Sequence, residues 1–167
     1  MWTGTIITVL FISIGAIADA KSITISNARL VSSRGGSCRQ ENGINRCSVI
    51  RGETATFQGV LNVDGGEYSH LGIESLVVTL EWTKEKLGKV VTKAQTCQKV
   101  GGDVVIKGEC SVTVMAEGSY KIVPFPVRIP KLHHPIKTNF RALASAKWSD
   151  GSTTKEMEIG RCEVDIN

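Results

Sequence analysis

From Ile136 to Trp148 every second residue falls on one side of an extended chain: Ile136, Thr138, Phe140, Ala142, Ala144, Ala146 and Trp148, all apolar except Thr138. A period of two is the signature of a strand with one face turned to a core. The pattern recurs. In Thr54 to Val63, Ala55, Phe57, Gly59, Leu61 and Val63 share one side, and Thr54, Thr56, Gln58 and Asn62 the other, with Val60 the exception. Leu76, Val78, Leu80 and Trp82 alternate with Val77, Thr79 and Glu81, and Val112, Val114 and Ala116 form a shorter set. No window sustains a helical period over three turns. The chain is therefore expected to be all-β, with about seven or eight short strands packed as a sandwich of two sheets.

Turn residues separate these runs at Asp64-Gly65-Gly66, Glu117-Gly118-Ser119 and Ser149-Asp150-Gly151. Beyond the last turn Met157 and Ile159 resume the inward pattern, but after Gly160 the phase moves to Cys162, Val164 and Ile166. A glycine at a phase switch predicts a β-bulge. All four prolines lie between Pro124 and Pro135, in a stretch that also holds Phe125, Val127, Ile129 and Leu132. Proline cannot donate to a ladder. This segment is expected to be either an edge strand tucked into the core or one lip of a cavity.

The first twenty residues are expected to be a cleaved signal peptide. Ile6 to Ile14 is apolar apart from Thr8 and Ser13, and Ala18-Asp19-Ala20 is a small-x-small cleavage site. The run is too short to span a bilayer. The remaining domain, residues 21–167, is then secreted. Its charge is mildly basic, +5 once the segment carrying Asp19 is removed from a chain of net +4. The charges are interspersed, without the concentrated basic stripe of a nucleic-acid binder. A mild attraction to anionic lipid headgroups is compatible with this balance.

All five cysteines, Cys38, Cys47, Cys97, Cys110 and Cys162, lie in this domain. In an oxidising compartment they form a disulfide framework with one thiol left over. The local pairings Cys38–Cys47 and Cys97–Cys110 would each close a short loop, worth roughly 3 kcal/mol on the entropic model. Zinc is the rival reading, but there is no C-x-x-C, and the histidines have no ligand spacing to the cysteines.

Catalytic patterns are missing. The chain has no G-x-S-x-G elbow, no phosphate-cradling glycine loop and no H-E-x-x-H helix. His133 and His134 are adjacent, so on an extended chain they point to opposite faces and cannot share a metal. Cys162 has no base suggested near it, which favours a buried thiol or an intermolecular bridge over a nucleophile. The N-x-[ST] glycosylation pattern is absent. The expectation is a protein that is not an enzyme and carries no metal or cofactor.

Four motifs, in order, give the chain a family resemblance. They are the small loop Cys38 to Cys47; Cys47-Ser48-Val49-Ile50-Arg51-Gly52 leading into a long strand; Cys97 to Cys110 followed by Gly118-Ser119-Tyr120 and Phe125-Pro126-Val127; and Pro135-Ile136-Lys137 running to Trp148-Ser149-Asp150-Gly151 and a last strand with Cys162. In these the chain resembles the ML-domain lipid-recognition family, which includes the Niemann–Pick type C cholesterol-transfer proteins and the mite group 2 allergens. The family usually has a sixth cysteine near the mature N-terminus that bridges to the last, whereas residues 21–37 here contain none. The resemblance implies an immunoglobulin-like sandwich of two antiparallel sheets that splay to hold a hydrophobic ligand. It implies that the partner is a lipid (a sterol, a fatty acid or a lipid with an anionic headgroup), with transient membrane or receptor contact. Candidate lining residues are Phe57, Leu61, Val78, Leu80, Trp82, Tyr120, Phe125, Val127, Ile129, Phe140 and Trp148. Lys84, Lys86, Lys89 and Lys93, after Trp82, could meet an anionic headgroup at the cavity mouth. The protein would be a monomer or a Cys162-linked dimer. The alternative is an extracellular protein-interaction module with a fully packed core.

Overall fold

The structure is a computed structural model describing residues 21–34, 36–67, 70–83, 91–100, 103–106 and 116–167, with the backbone path alone for 91–100 and 103–106. The proposed signal segment, Val112 and Val114, and Lys84, Lys86 and Lys89 lie outside the described residues. Among those described there is no helix. The described residues form eleven strands: β1 (Ser22–Ser32), β2 (Cys38–Glu41), β3 (Ile44–Val49), β4 (Thr54–Asp64), β5 (Ile73–Trp82), β6 (Val91–Val100), β7 (Asp103–Ile106), β8 (Gly118–Ile122), β9 (Phe125–Arg128), β10 (Ile136–Trp148) and β11 (Thr153–Ile166). The all-β expectation holds, in a sandwich-like arrangement of two sheets.

In the first sheet β4 is central. Its one edge pairs with β1 and its other with β8 and then β9, so β8 and β9 act as one interrupted strand. Pro124 stands at the interruption, and Pro126 faces Thr56 on an edge strand that needs no outward donor. The proline-rich segment is therefore the edge strand expected, with Val127 and Ile129 fully buried. The second sheet runs β5-β10-β11-β3-β2. Strand β6 pairs with β5 on one side and β7 on the other, and β7 reaches β8, so the two sheets are joined along one margin.

The pairing is not wholly antiparallel, which corrects the sequence expectation. β11 runs parallel to β3 (Val164 beside Cys47), and β7 runs parallel to β8. β3 and β11 are far apart in sequence, so no hairpin dictates their direction. Strands β1 and β2 were also not legible. β1 hides because its alternation slips: Ile23 and Ile25 are buried, then Ala28 and Leu30, with Asn27 in the left-handed region (φ 54°) between them and a register shift between Ser26 and Arg29. The β2–β3 hairpin turns on Asn42-Gly43, both at positive φ (52° and 79°), as a two-residue turn requires.

The predicted bulge is present: Ala142 faces Gly160 and Leu143 faces Glu158, leaving Ile159 extra. Met157, expected on the inner side with Ile159, is 46% exposed. Met157 still pairs with the buried Ala144, and a second register shift follows between Ala144 and Ala146.

On the margin opposite β6 the sheets meet through β1, which also lies against β3 and β11. A Cβ built on Gly160 would sit 2.8 Å from the Ile25 carbonyl oxygen and 2.9 Å from Ile25 Cβ, and one on Gly59 2.7 Å from Ile25 Cγ2. Ile25 is thus seated between two glycines, one from each sheet. Gly160→Ala is expected to destabilise the fold by about 2 kcal/mol, as overpacking against backbone does. That corresponds to a urea midpoint lower by about 1 M; an unchanged midpoint would refute this close packing.

Candidate functional site

The proposed lining residues come from both sheets: Phe57 and Leu61 from β4, Tyr120 from β8, Phe125 and Val127 from β9 with Ile129 just after it, Val78, Leu80 and Trp82 from β5, and Phe140 and Trp148 from β10. All belong to or pack against one core cluster; ten are buried and Phe125 is half-buried. Phe57 meets Phe140 across the sheets with ring centroids 5.7 Å apart. Trp82 meets Phe140 edge-on at 4.8 Å.

Ala142, Ala144 and Ala146 are buried between Phe140 and Trp148 on the same side of β10. Across the β5 register they lie beside Leu80, Val78 and Leu76. This row of small side chains was not singled out by sequence reasoning, although the three alanines were visible in the alternating pattern. Between larger neighbours, a row of methyl groups leaves the least bulk on the inward side of this sheet.

Polar groups are sparse in the core, and most are satisfied. The buried carboxylate of Glu81, on the other side of β5, accepts from Arg141 Nε at 2.7 Å. Trp148 Nε1 donates to Thr154 Oγ1 at 2.8 Å, and the Tyr120 hydroxyl donates to the Ala116 carbonyl at 2.5 Å. Burial raises the pKa of that phenol above its ordinary value, keeping it neutral. Three buried side-chain atoms have no partner among the described residues: Trp82 Nε1, Thr138 Oγ1 and Glu53 Oε2.

The Arg51-Gly52 motif has a structural job. Gly52 sits at φ 75° and donates to the carbonyls of Ile129 and Pro130, while Arg51 Nη1 donates to those of Leu132 and His133. The motif thereby pins the proline-rich segment after β9. His133 and His134 are exposed. Among the described residues, no group of His, Cys, Asp and Glu is placed to hold a metal.

The surface grooves have a different character. One of about 460 Å³ is lined by Asn27, Arg29, Asn45, Gln58 and Lys121, with Val60, Ile122 and Pro124. Another, of about 280 Å³, lies beside the Arg46–Glu163 ion pair, with Thr83, Lys137, Thr138, Asn139 and Asp165. Neither offers the apolar walls that a lipid tail needs.

The Cys38–Cys47 disulfide is formed, across the β2–β3 hairpin. Cys110 lies outside the described residues, so the second expected bridge does too. Cys162 is a free thiol with no exposure. Burial pushes its pKa up to about 12, against a smaller opposing effect of a backbone hydrogen bond from Leu30. An intermolecular bridge through this sulfur requires β11 to separate from β1.

No protein-family model matches the chain, and no curated protein matches it.

Because the folded thiol holds its proton more tightly than an ordinary one, with pKa 9.0, it stabilises the fold fully below about pH 9. That contribution is lost as pH rises toward 12. Peptide mapping after treatment with N-ethylmaleimide at pH 8 should find Cys162 unmodified in the native protein and fully modified in guanidinium chloride. Rapid native alkylation of Cys162 would contradict this burial.

Proposed function

We propose that the protein is a secreted lipid carrier or lipid sensor that holds one hydrophobic ligand between its two sheets, in an immunoglobulin-like sandwich opened at its centre. The observation that carries the reading is the character of the inward surfaces. They are apolar across both sheets, tied at the two margins by β1 and β6, and thinnest along Ala142, Ala144 and Ala146. A ligand burying about 400 Å² there would gain roughly 10 kcal/mol gross at 25 cal/mol/Å². The loss of motional freedom on binding then reduces that gain. Such a function needs no catalytic group.

The resemblance of the cysteine, Arg-Gly and Trp-Ser-Asp-Gly motifs to those of ML-domain proteins supports the same reading. So does the disulfide, since bridges persist in oxidising compartments such as the extracellular space. Loading and unloading would take place at a membrane or a receptor, helped by the mildly basic surface.

One substitution separates this reading from a fully packed interaction module. In a packed core, Ala144→Leu adds bulk with nowhere to go and costs about 1–3 kcal/mol. In a ligand-bearing core the added side chain occupies ligand space. Stability is then retained within about 0.5 kcal/mol, and affinity for fluorescent sterols or fatty acids falls at least tenfold. Destabilisation by Ala144→Leu, together with no binding of either probe by the unaltered protein, would overturn the proposal.

A further inference from the structure

Both neighbours of strand β4 break at the same place. Ser26 pairs with Val60 and Arg29 with Gln58, so Asn27 and Ala28 together oppose Gly59 in a β-bulge. On the other edge β8 stops pairing at Val60 and β9 starts at Phe57, which leaves Gly59 without a register partner there too. The groove of about 460 Å³ lies over this point. Its size is within the range of small-molecule sites. Bulges are common beside functional sites because the extra residue re-aims its neighbours. Here Asn27, at φ 54°, lets Ser26 and Arg29 both stand on the outward side of the sheet, opposite Val60 and Gln58.

The polar groups of this groove suit an anion. Arg29 and Lys121 flank the outward side of β4 from its two edges, two strand spacings or about 10 Å apart. Among the described residues neither is ion-paired. Nor do the described lining residues include a carboxylate, unlike the groove beside Arg46 and Glu163. Arg29 Nε donates to Gln58 Oε1 at 3.1 Å, which holds the guanidinium in place. Its Nη groups and the Gln58 amide nitrogen remain as donors. Asn45 Nδ2 donates to the Ala28 carbonyl at 3.0 Å, so Asn45 Oδ1 remains as an acceptor. The β7 register places Asp103 beside Lys121, which makes Arg29 the stronger cation of the two.

We propose that this groove binds a saccharide carrying a sulfate or phosphate ester. The planar fork of Arg29 fits two ester oxygens at once, and Lys121 adds a second positive charge. The amide donors and acceptors of Asn27, Asn45 and Gln58 fit the ring hydroxyls, which both donate and accept. This site is separate from the space between the sheets, because Gln58 and Val60 face away from the buried Phe57 and Leu61. It stands or falls independently of lipid binding.

Titration calorimetry tests it with two pairs of probes: a heparin-derived tetrasaccharide against the same tetrasaccharide freed of sulfate, and mannose 6-phosphate against mannose. At least one ester should bind about tenfold or more tighter than its ester-free counterpart, and the pair that shows this identifies the ester. Arg29→Gln should weaken that binding about tenfold and Lys121→Gln about threefold. Lys155→Gln removes the same charge from an exposed position on the second sheet and should leave binding unchanged. On the unaltered protein, the backbone amide resonances of Asn27, Gln58 and Gly59 should shift as the ester is added. Equal weakening by all three substitutions, or silent amides at the bulge, would reveal only the general attraction of a basic protein for anions and overturn the site. Equal binding with and without the ester, or no binding of either ester, overturns it as well.

Discussion

The seating of Ile25 between Gly59 and Gly160 is the contact on which the arrangement depends. β1 is hydrogen-bonded into one sheet, yet its side chains press on the other, and only the two glycines allow the backbones so close. Leu30 continues the seam, with its amide 3.4 Å from Cys47 Sγ. On the far margin β6 passes hydrogen bonds from one sheet to the other. A sandwich fastened at both sides can hold its sheets apart in the middle without losing its fold. That is the mechanical condition for carrying a ligand there.

The same seam accounts for the unpaired cysteine. Cys162 faces β1 from β11, in the tightly closed part of the core, where its thiol behaves as a small apolar group. Among the described residues β1 and β11 are joined by packing, with no disulfide between them. The disulfide that is formed touches the seam at Leu30 and ties on a four-residue strand whose Arg39, Gln40 and Glu41 are exposed and give it little core of its own.

Much of this was legible in the residues. β4, β5 and β10 advertise their inward faces by strict alternation, and the residues read from those faces do converge on one cluster. The bulge at Gly160 followed from a change of parity. What stayed hidden is non-local or depends on a single angle. Asn27 at positive φ splits β1 into two half-patterns, and the parallel placement of β3 beside β11 brings together segments with no sequence relation. The contrast between Trp148 and Trp82 was equally unreadable. Their surroundings differ by one threonine acceptor that only the folded register supplies.

The central proposal is that a ligand is held between the two sheets. Native mass spectrometry of the gently purified, disulfide-intact protein tests it most directly. The account predicts a population heavier than the bare chain by the mass of one lipid, released on denaturation. A single species at the mass of the bare chain, unchanged after incubation with sterols and fatty acids, would contradict it.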